Sequence, residues 1–252
     1  MTLAHDEAGD GPAVLLLHST VADRRMWDPQ EPALIAAGFR VIRCDLRGYG
    51  ETPVADRSHN DADDVAELLD ELGVERAALV GASGGGMVAL EFAGRRPARV
   101  TALALLDTAA PWLEPGPELR EFNRREEELL EAGDVAAATE LNVDLWLGPA
   151  AGPEARSRLR EMQRHTFEWQ LAAAEWHEKV RTPYELSAVT ARTLLVAGAH
   201  DLPEFRALAR RLAAELPDAH LIELDWAGHL PSLERPDLLN PILLDFLNQP
   251  GG

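Results

Sequence analysis

The stretch that decides the fold is residues 77–87, AALVGASGGGM. It begins as a short apolar run of the kind that forms a buried strand, and it ends in small residues from which a helix can start. The pentapeptide Gly81-Ala82-Ser83-Gly84-Gly85 lies at the junction, so a G-x-S-x-G pattern falls between strand and helix. So sharp a turn strains its central residue and brings the flanking positions together, which suits Gly81 and Gly85 because neither has a Cβ. We expect the turn to lift the Ser83 hydroxyl clear of the sheet.

The same glycine-rich turn could be a flexible loop or a phosphate-binding loop. A phosphate-binding loop of the G-x-x-x-x-G-K-[ST] type needs a lysine within the motif, whereas the single lysine of the chain is Lys179. The strand-to-helix context therefore favours a nucleophilic serine at position 83. The helix that follows directs unpaired amides and the positive end of its dipole toward that hydroxyl, which favours an oxyanion beside it.

Outward from this turn, short apolar runs alternate with amphipathic stretches. The runs are rich in Val, Leu or Ile and end in Gly, Asp or Ser, which predicts parallel strands covered on both faces. The predicted strands are 13–18, 39–45, 76–80, 100–106, 193–197 and 220–225, and the predicted helices are 61–72, 85–95, 203–216 and one ending near Phe246. Asn60 is a good N-cap type for the helix over 61–72, and Pro241 is expected to kink the last helix or to mark its start. The fold class is therefore α/β, a mostly parallel sheet with helices on both faces.

Residues 111–187 interrupt this alternation. They are rich in Glu, Arg, Ala and Leu at helical spacing and show no strand pattern. Large aromatic residues recur in the segment: Trp112, Phe122, Trp146, Phe167 and Trp169. We interpret the segment as a helical lid inserted into a core formed by residues 1–110 and 188–252. Its aromatic side chains are expected to pack onto the core and, in part, to line an apolar pocket.

A reactive serine needs a general base, normally a histidine, and a carboxylate that orients this base. His229 follows the last predicted strand, where a loop can return it over the strand ends. His200 and His220 are alternatives in the same half of the chain. His220 opens a strand, which favours a structural role, and His200 could serve as a loop cap.

Two acids are candidates for the orienting carboxylate. Asp201 follows the strand over 193–197, at the sheet edge where ligand sites of open α/β sheets collect. It could instead cap the helix that begins near Pro203. Asp107 ends the strand over 100–106 and is the fallback.

The transition state also needs amide donors for the carbonyl oxygen as it gains negative charge. One is expected from Gly84, the residue after the nucleophile. The other is expected from a loop near the start of the chain, and the backbone amide of Thr20 is our candidate. His18 lies next to this loop at a strand end, and we expect it to hold the turn by hydrogen bonds, because His229 already supplies the base.

Several landmarks occur in order along the chain: the turn 81–85, the stretch 45–52 (DLRGYGET), Gly198-Ala199-His200-Asp201, and Gly228-His229 with Pro231. On these residues the sequence resembles the α/β-hydrolase superfamily, and specifically its esterase, lactonase and haloperoxidase-like branch. The resemblance covers everything except the lid. It implies that Ser83 is the nucleophile, His229 the base and Asp201 the acid, with oxyanion donors from the amides of Thr20 and Gly84. The family usually has His-Gly where this chain has His18-Ser19.

Composition excludes several classes of protein. The chain has 43 acidic and 24 basic residues, a formal net charge of -19 at pH 7, so its averaged field repels nucleic-acid phosphates and anionic lipid surfaces. No run approaches the roughly 18 apolar residues of a membrane span, and the first residues lack a signal-peptide pattern. The single cysteine, Cys44, fits a reducing compartment. We therefore expect a cytoplasmic monomer or homodimer that acts on a small-molecule substrate, without nucleic-acid or membrane partners.

The leading hypothesis is hydrolysis of a carboxylic ester or lactone of a small, largely apolar substrate through an acyl-enzyme on Ser83. No cofactor is needed, and no metal is expected because the chain has no H-E-x-x-H motif. The same residues could instead perform carbon–carbon bond hydrolysis, amide cleavage or perhydrolysis. Haloalkane dehalogenation is disfavoured, because the family resemblance implies Asp at the nucleophile position of such enzymes, whereas this chain has Ser83. A non-catalytic small-molecule receptor is the alternative from another class, and it would not require Ser83, Asp201 and His229 together.

Overall fold

The computed structural model describes residues 3–175 and 177–249, so residues 1–2, 176 and 250–252 of the expected core and lid lie outside the described residues. The strands are His5–Ala8 (β1), Ala13–Leu17 (β2), Arg40–Cys44 (β3), Ala77–Ala82 (β4), Val100–Leu106 (β5), Thr193–Gly198 (β6) and Ala219–Leu224 (β7). They form one sheet in the order β1-β3-β2-β4-β5-β6-β7. β1 runs antiparallel to β3, and the other neighbouring strands pair in parallel. The predicted fold class is thus confirmed.

The helices of the described residues are Glu31–Ala36 (α1), Asp61–Glu71 (α2), Gly84–Arg95 (α3), Pro117–Glu131 (α4), Val135–Trp146 (α5), Pro153–Leu171 (α6), Pro203–Glu215 (α7), Pro231–Glu234 (α8) and Pro236–Asn248 (α9). They cover both faces of the sheet, because α1 and α9 contribute to one apolar cluster and α2 and α3 contribute to another. Alternate residues of a strand point to opposite sides of the sheet. Val14 and Leu16 of β2 belong to one apolar cluster, whereas Leu15 and Leu17 belong to the other. This arrangement explains the continuous apolar runs from which the strands were predicted.

Most predicted elements lie within two residues of their observed bounds. The Asn60 side chain caps α2 by accepting a hydrogen bond from the Asp63 amide at 3.0 Å, as expected. The last helix begins at Pro236 and continues through Pro241, so Pro241 does not mark its start. Among the described residues, three short elements of the core were missed: β1, α1 and the four-residue helix α8. The strand β1 has the polar sequence HDEA, which carries no apolar alternation, and α1 is only six residues long.

Between β5 and β6 the chain forms α4, α5 and α6, where the sequence predicted helices and no strand. These helices contact loops that follow the strands of the sheet. The His165 ring on α6 lies 2.9 Å from the Gly50 carbonyl oxygen, and the carbonyl of Trp146 at the end of α5 accepts a hydrogen bond from the His229 amide at 3.2 Å. Within residues 3–175 and 177–249, no helix combines the length and apolar character that crossing a membrane requires.

Candidate active site

Ser83 occupies the junction between β4 and α3, at φ 50° and ψ -115°. A positive φ is uncommon for a residue with a side chain, and it marks a turn that its surroundings hold in place. The Ser83 amide donates to the Leu106 carbonyl at 2.9 Å, which ties the turn to β5. A Cβ at Gly81 would lie 2.6 Å from the carbonyl oxygen of Gly85, and one at Gly85 would overlap the carbonyl of Leu17. The two glycines are therefore required by close backbone approach, as the sequence pattern predicted.

His229 and Asp201 meet in a hydrogen bond. The Nδ1 atom of His229 lies 2.8 Å from Oδ2 of Asp201, and both side chains are almost fully buried. Because a carboxylate only accepts, Nδ1 carries the proton and Nε2 is left free as a base. The second oxygen of Asp201 accepts the Leu202 amide at 2.7 Å, just before α7. Asp201 is therefore bonded through one oxygen to the ring of His229 and through the other to the Leu202 amide, which precedes α7.

Two aromatic rings flank His229. The ring centroids of Trp146 and Phe205 each lie 4.5 Å from the imidazole centroid. Trp146 is itself held by a hydrogen bond from its indole nitrogen to Asn142 at 3.0 Å. In the sequence, Trp146 is only one of several aromatic residues of the segment 111–187. Its contact with His229 depends on tertiary structure, and no local pattern reveals it.

Glu234 fixes the turn that carries His229. Its carboxylate accepts hydrogen bonds from the amides of Gly228, at 3.0 Å and 3.1 Å, and of Leu230, at 3.2 Å, which are the two residues that flank His229. Burial raises the pKa of Glu234, and hydrogen bonds from backbone amides oppose this rise. Glu234 has no sequence signature, because an acid within a short helix follows no distinctive pattern.

The amides of Thr20 and Gly84 lie close together beside the Ser83 turn. A Cβ at Gly84 would lie 2.5 Å from the Thr20 methyl carbon and 3.7 Å from the Thr20 amide nitrogen. Neither amide donates a hydrogen bond to any atom of the residues that the structure describes. Gly84 is buried, where unpaired N–H groups are rare, whereas Thr20 is exposed to solvent. Both amides are free to donate to an oxygen atom that enters the site beside Ser83.

His18 holds the loop of Thr20 in position. Its Nε2 accepts the Leu46 amide at 2.9 Å, so its Nδ1 carries the proton and donates to the Ser19 carbonyl at 2.8 Å. Both nitrogens are engaged, which confirms the expected structural role of His18. The alternative histidines, His200 and His220, have exposed side chains.

Asp107 also lies at the site, although it does not bond His229. A carboxylate oxygen of Asp107, one of Asp201 and a ring nitrogen of His229 lie within 4.8 Å of one another. Burial, and next the negative charge of Asp201, raise the pKa of Asp107 well above its usual value. Of the two acids predicted from sequence, the structure thus places both beside the histidine and gives the hydrogen bond to Asp201.

Acid and histidine side chains also cluster at His59, Asp61 and Asp64. Cations of the chain already occupy the two carboxylates. The Lys179 ammonium lies 2.8 Å from Asp61, and the Arg47 guanidinium binds Asp64 with two hydrogen bonds of 2.6 Å. A metal ion would have to displace these charges, so the cluster fits a network of buried ion pairs better than a metal centre.

Comparison with known proteins places this geometry in a family. A model of the "Alpha/beta hydrolase family" matches residues 14–242. A protein named "Putative carbamate hydrolase RutD" from Variovorax paradoxus (strain S110) is 34% identical over 249 residues, which cover 94% of this chain and 92% of that protein. Among solved structures, a thermophilic esterase from Thermogutta terrifontis is 30% identical, with a TM-score of 0.78 over 97% of this chain and 92% of its own. The enol-lactonase from Burkholderia xenovorans LB400 is 26% identical, with a TM-score of 0.80 over 98% of this chain and 96% of its own. The resemblance predicted from the sequence is confirmed: the chain belongs to the alpha/beta hydrolase family and is a hydrolase.

Proposed function

We propose that this chain is a serine hydrolase that cleaves a carboxylic ester or lactone of a small, largely apolar substrate. The observation that carries the proposal is a pair of unpaired amides, those of Thr20 and Gly84, beside a serine on a strained turn. Donors fixed in this way stabilise the negative charge that develops on a carbonyl oxygen when a nucleophile attacks it.

In the first half of the reaction, Ser83 Oγ attacks the substrate carbonyl carbon while its proton passes to Nε2 of His229. The resulting imidazolium is stabilised by the Asp201 carboxylate, which holds Nδ1 at 2.8 Å. The tetrahedral oxyanion accepts hydrogen bonds from the Thr20 and Gly84 amides. Its collapse breaks the bond to the leaving alcohol, which takes the proton from His229 and leaves an acyl group on Ser83.

In the second half, water attacks the acyl carbon and gives a proton to His229. The second tetrahedral intermediate uses the same two amides. It collapses to release the carboxylic acid, and Ser83 Oγ recovers the proton from His229. Atoms and charge balance over the cycle, which consumes one water for each ester and needs no cofactor.

The surroundings of His229 favour an apolar substrate. Trp146 and Phe205 cover its ring, and Trp146 belongs to the α4–α6 segment, which we propose to be the lid. Relatives named an esterase and an enol-lactonase support carboxylic esters and lactones as the substrate class. We further propose that the chain acts in the cytoplasm as a monomer or homodimer.

Carbamate hydrolysis is the second candidate, because the relative that is 34% identical carries that name. A carbamate presents the same carbonyl to Ser83, and the same two amides would hold its oxyanion. The products differ, since a carbamate yields carbon dioxide together with an amine or ammonia. Analysis of the products therefore distinguishes carbamate from ester or lactone hydrolysis.

The first test is labelling with a fluorophosphonate probe, followed by peptide mapping, of the wild-type chain and of Ser83→Ala and His229→Ala. We expect an adduct on Ser83 in the wild type and loss of labelling in both variants. A panel of esters, lactones and carbamates then defines the substrate class. A folded wild-type chain that forms no adduct contradicts the proposal and favours a non-catalytic binding protein.

A further inference from the structure

Asp107 is held in an unusual position at the end of β5. Its φ is 43°, in the left-handed region that side chains rarely adopt, although Asp tolerates it better than most residues. The residue is 1% exposed. Its Oδ1 accepts the Gly198 amide at 2.7 Å, whereas its Oδ2 is buried and has no hydrogen-bond partner among the described residues. A buried oxygen without a hydrogen-bond partner lowers the stability of the folded chain. A proton on Oδ2 would let this oxygen donate a hydrogen bond, so the protonation state of Asp107 matters.

The surroundings of Asp107 are acidic. Asp201 lies beside it within the 4.8 Å group that includes His229, and Glu234 adds further negative charge from α8. Two buried carboxylates at this distance cannot both be ionised without a large penalty, and such pairs share one proton.

The hydrogen bonds indicate which acid holds the proton. Both oxygens of Asp201 accept hydrogen bonds, from the Leu202 amide and from His229, and such donors stabilise the carboxylate form. From the described part of the chain, Asp107 accepts only one such bond, so its Oδ2 is free to carry a hydrogen. The pKa of Asp107 is raised by burial first and by the charge of Asp201 second, in agreement with this assignment.

We propose that Asp107 is a positioning residue that carries a proton on Oδ2 and donates a hydrogen bond to the Asp201 carboxylate, a role that rests on the proposed triad. The donated bond holds Asp201 in the orientation that fixes His229. It also keeps the Asp107–Asp201 pair at a single negative charge, which stays on Asp201 and stabilises the imidazolium. The neutral form of Asp107 satisfies its own otherwise unpaired oxygen at the same time.

Isotope-edited infrared spectroscopy tests the proton directly. The chain is labelled with carboxyl-¹³C aspartate, and spectra of wild type and Asp107→Asn are compared at pH 7. We expect the Asn variant to lose the carbonyl band of a protonated carboxylic acid. Asp237→Asn is the matched control, because Arg235 lowers the pKa of this exposed acid and only a carboxylate band should disappear. If Asp107→Asn removes only carboxylate bands, the proposal is wrong.

Kinetics on an activated ester tests the positioning role. Asp107→Asn keeps a neutral donor toward Asp201, whereas Asp107→Gly removes the donor and suits the positive φ. We expect the Asn variant to stay within about threefold of wild type and the Gly variant to lose about 10- to 100-fold in kcat, with little change in KM. Equal activity of the two variants, whether high or low, overturns the role.

The two proposals fail in different ways. If Ser83 is not a nucleophile, the fluorophosphonate adduct is absent while the protonated carboxyl band of Asp107 remains. If Asp107 is ionised, the adduct forms on Ser83 but the band is missing. The infrared experiment needs no turnover, so each result is assigned to one proposal.

Discussion

Substitution of Gly198 by alanine should disable the site without touching any candidate catalytic group. Gly198 ends β6, three residues before Asp201, and packs against the turn that carries His229. An added Cβ would overlap the Gly228 carbonyl oxygen and lie 2.6 Å from the Ala227 carbonyl oxygen. Non-bonded carbon and oxygen atoms need more than ~3 Å, so the two backbones must separate by about 1 Å.

This separation displaces His229 from Asp201 and from Ser83. A misplacement of about 1 Å at a reacting group lowers the rate by about 100-fold, and we expect kcat of Gly198→Ala to fall by that order. Overpacking of this kind destabilises by about 1–3 kcal/mol, which lowers the melting temperature by roughly 2–12 °C for a chain of this size.

The assay is ester turnover at a temperature well below the melting transition, with folding checked by circular dichroism. Gly152→Ala is the matched control, because nothing lies within 4 Å of its added Cβ and its φ is -76°. We expect the control to keep wild-type activity. A folded Gly198→Ala protein with kcat within about threefold of wild type would refute the reasoning, since the backbone contact would then not transmit to the histidine.

Three further predictions follow from the same contacts. Asp107→Asn should stabilise the chain relative to wild type by an amount that grows with pH above about 4, by up to ~1.4 kcal/mol per pH unit. The reason is that Asp107 of the unfolded wild type ionises in this range, while the folded acid keeps its proton. Denaturant melts at pH 4, 6 and 8 measure this difference in the free energy of unfolding, and a pH-independent difference contradicts the prediction. Glu234→Ala leaves two buried amides unpaired, so it should destabilise the fold by about 1–3 kcal/mol for each amide and lower kcat. Glu234→Gln keeps an acceptor and should lose less stability in melts and less activity in ester assays. Equal losses in the two variants would show that hydrogen bonds from Glu234 do not hold the turn of His229. Trp146→Ala should destabilise the fold by about 3–5 kcal/mol and lower kcat, and Trp146→Phe should recover most of the stability and most of the activity. Melts and ester assays measure the two effects, and a Phe variant no better than Ala would show that ring packing is not their cause.

The candidate site could be predicted from sequence because its groups follow strands. Ser83, Asp201 and His229 come after three different strands, and the ends of parallel strands meet at one edge of the sheet. The strands themselves were recognisable because β2, β4, β5 and β6 are buried on both faces and read as continuous apolar runs. The interleaved apolar runs and glycine-rich turns were therefore sufficient for the fold class.

The missed features depend on contacts that no local pattern encodes. β1 is an edge strand held by backbone pairing with β3, so its polar residues His5–Ala8 carry no signal. Trp146 contacts His229 from a distant part of the chain, whereas Glu234 lies only five residues away but belongs to a four-residue helix without a distinctive pattern. The pairing of two acids did have a signal: Asp107 and Asp201 each follow one of two strands, β5 and β6, that turn out to be neighbours. Once strand order is known, their proximity follows.

The backbone hydrogen bond from His229 to Trp146 has a consequence for engineering substrate range. The segment α4–α6 is a natural unit for exchange between related enzymes, since it is continuous in the chain between β5 and β6. Here the end of α5 and the following Gly148, which packs against Gly228, are structural parts of the histidine turn. A functional chimera must take residues 142–148 from the protein that supplies the sheet, and it can exchange only the parts of the segment before and after them. The border between exchangeable and fixed sequence therefore runs inside the α4–α6 segment.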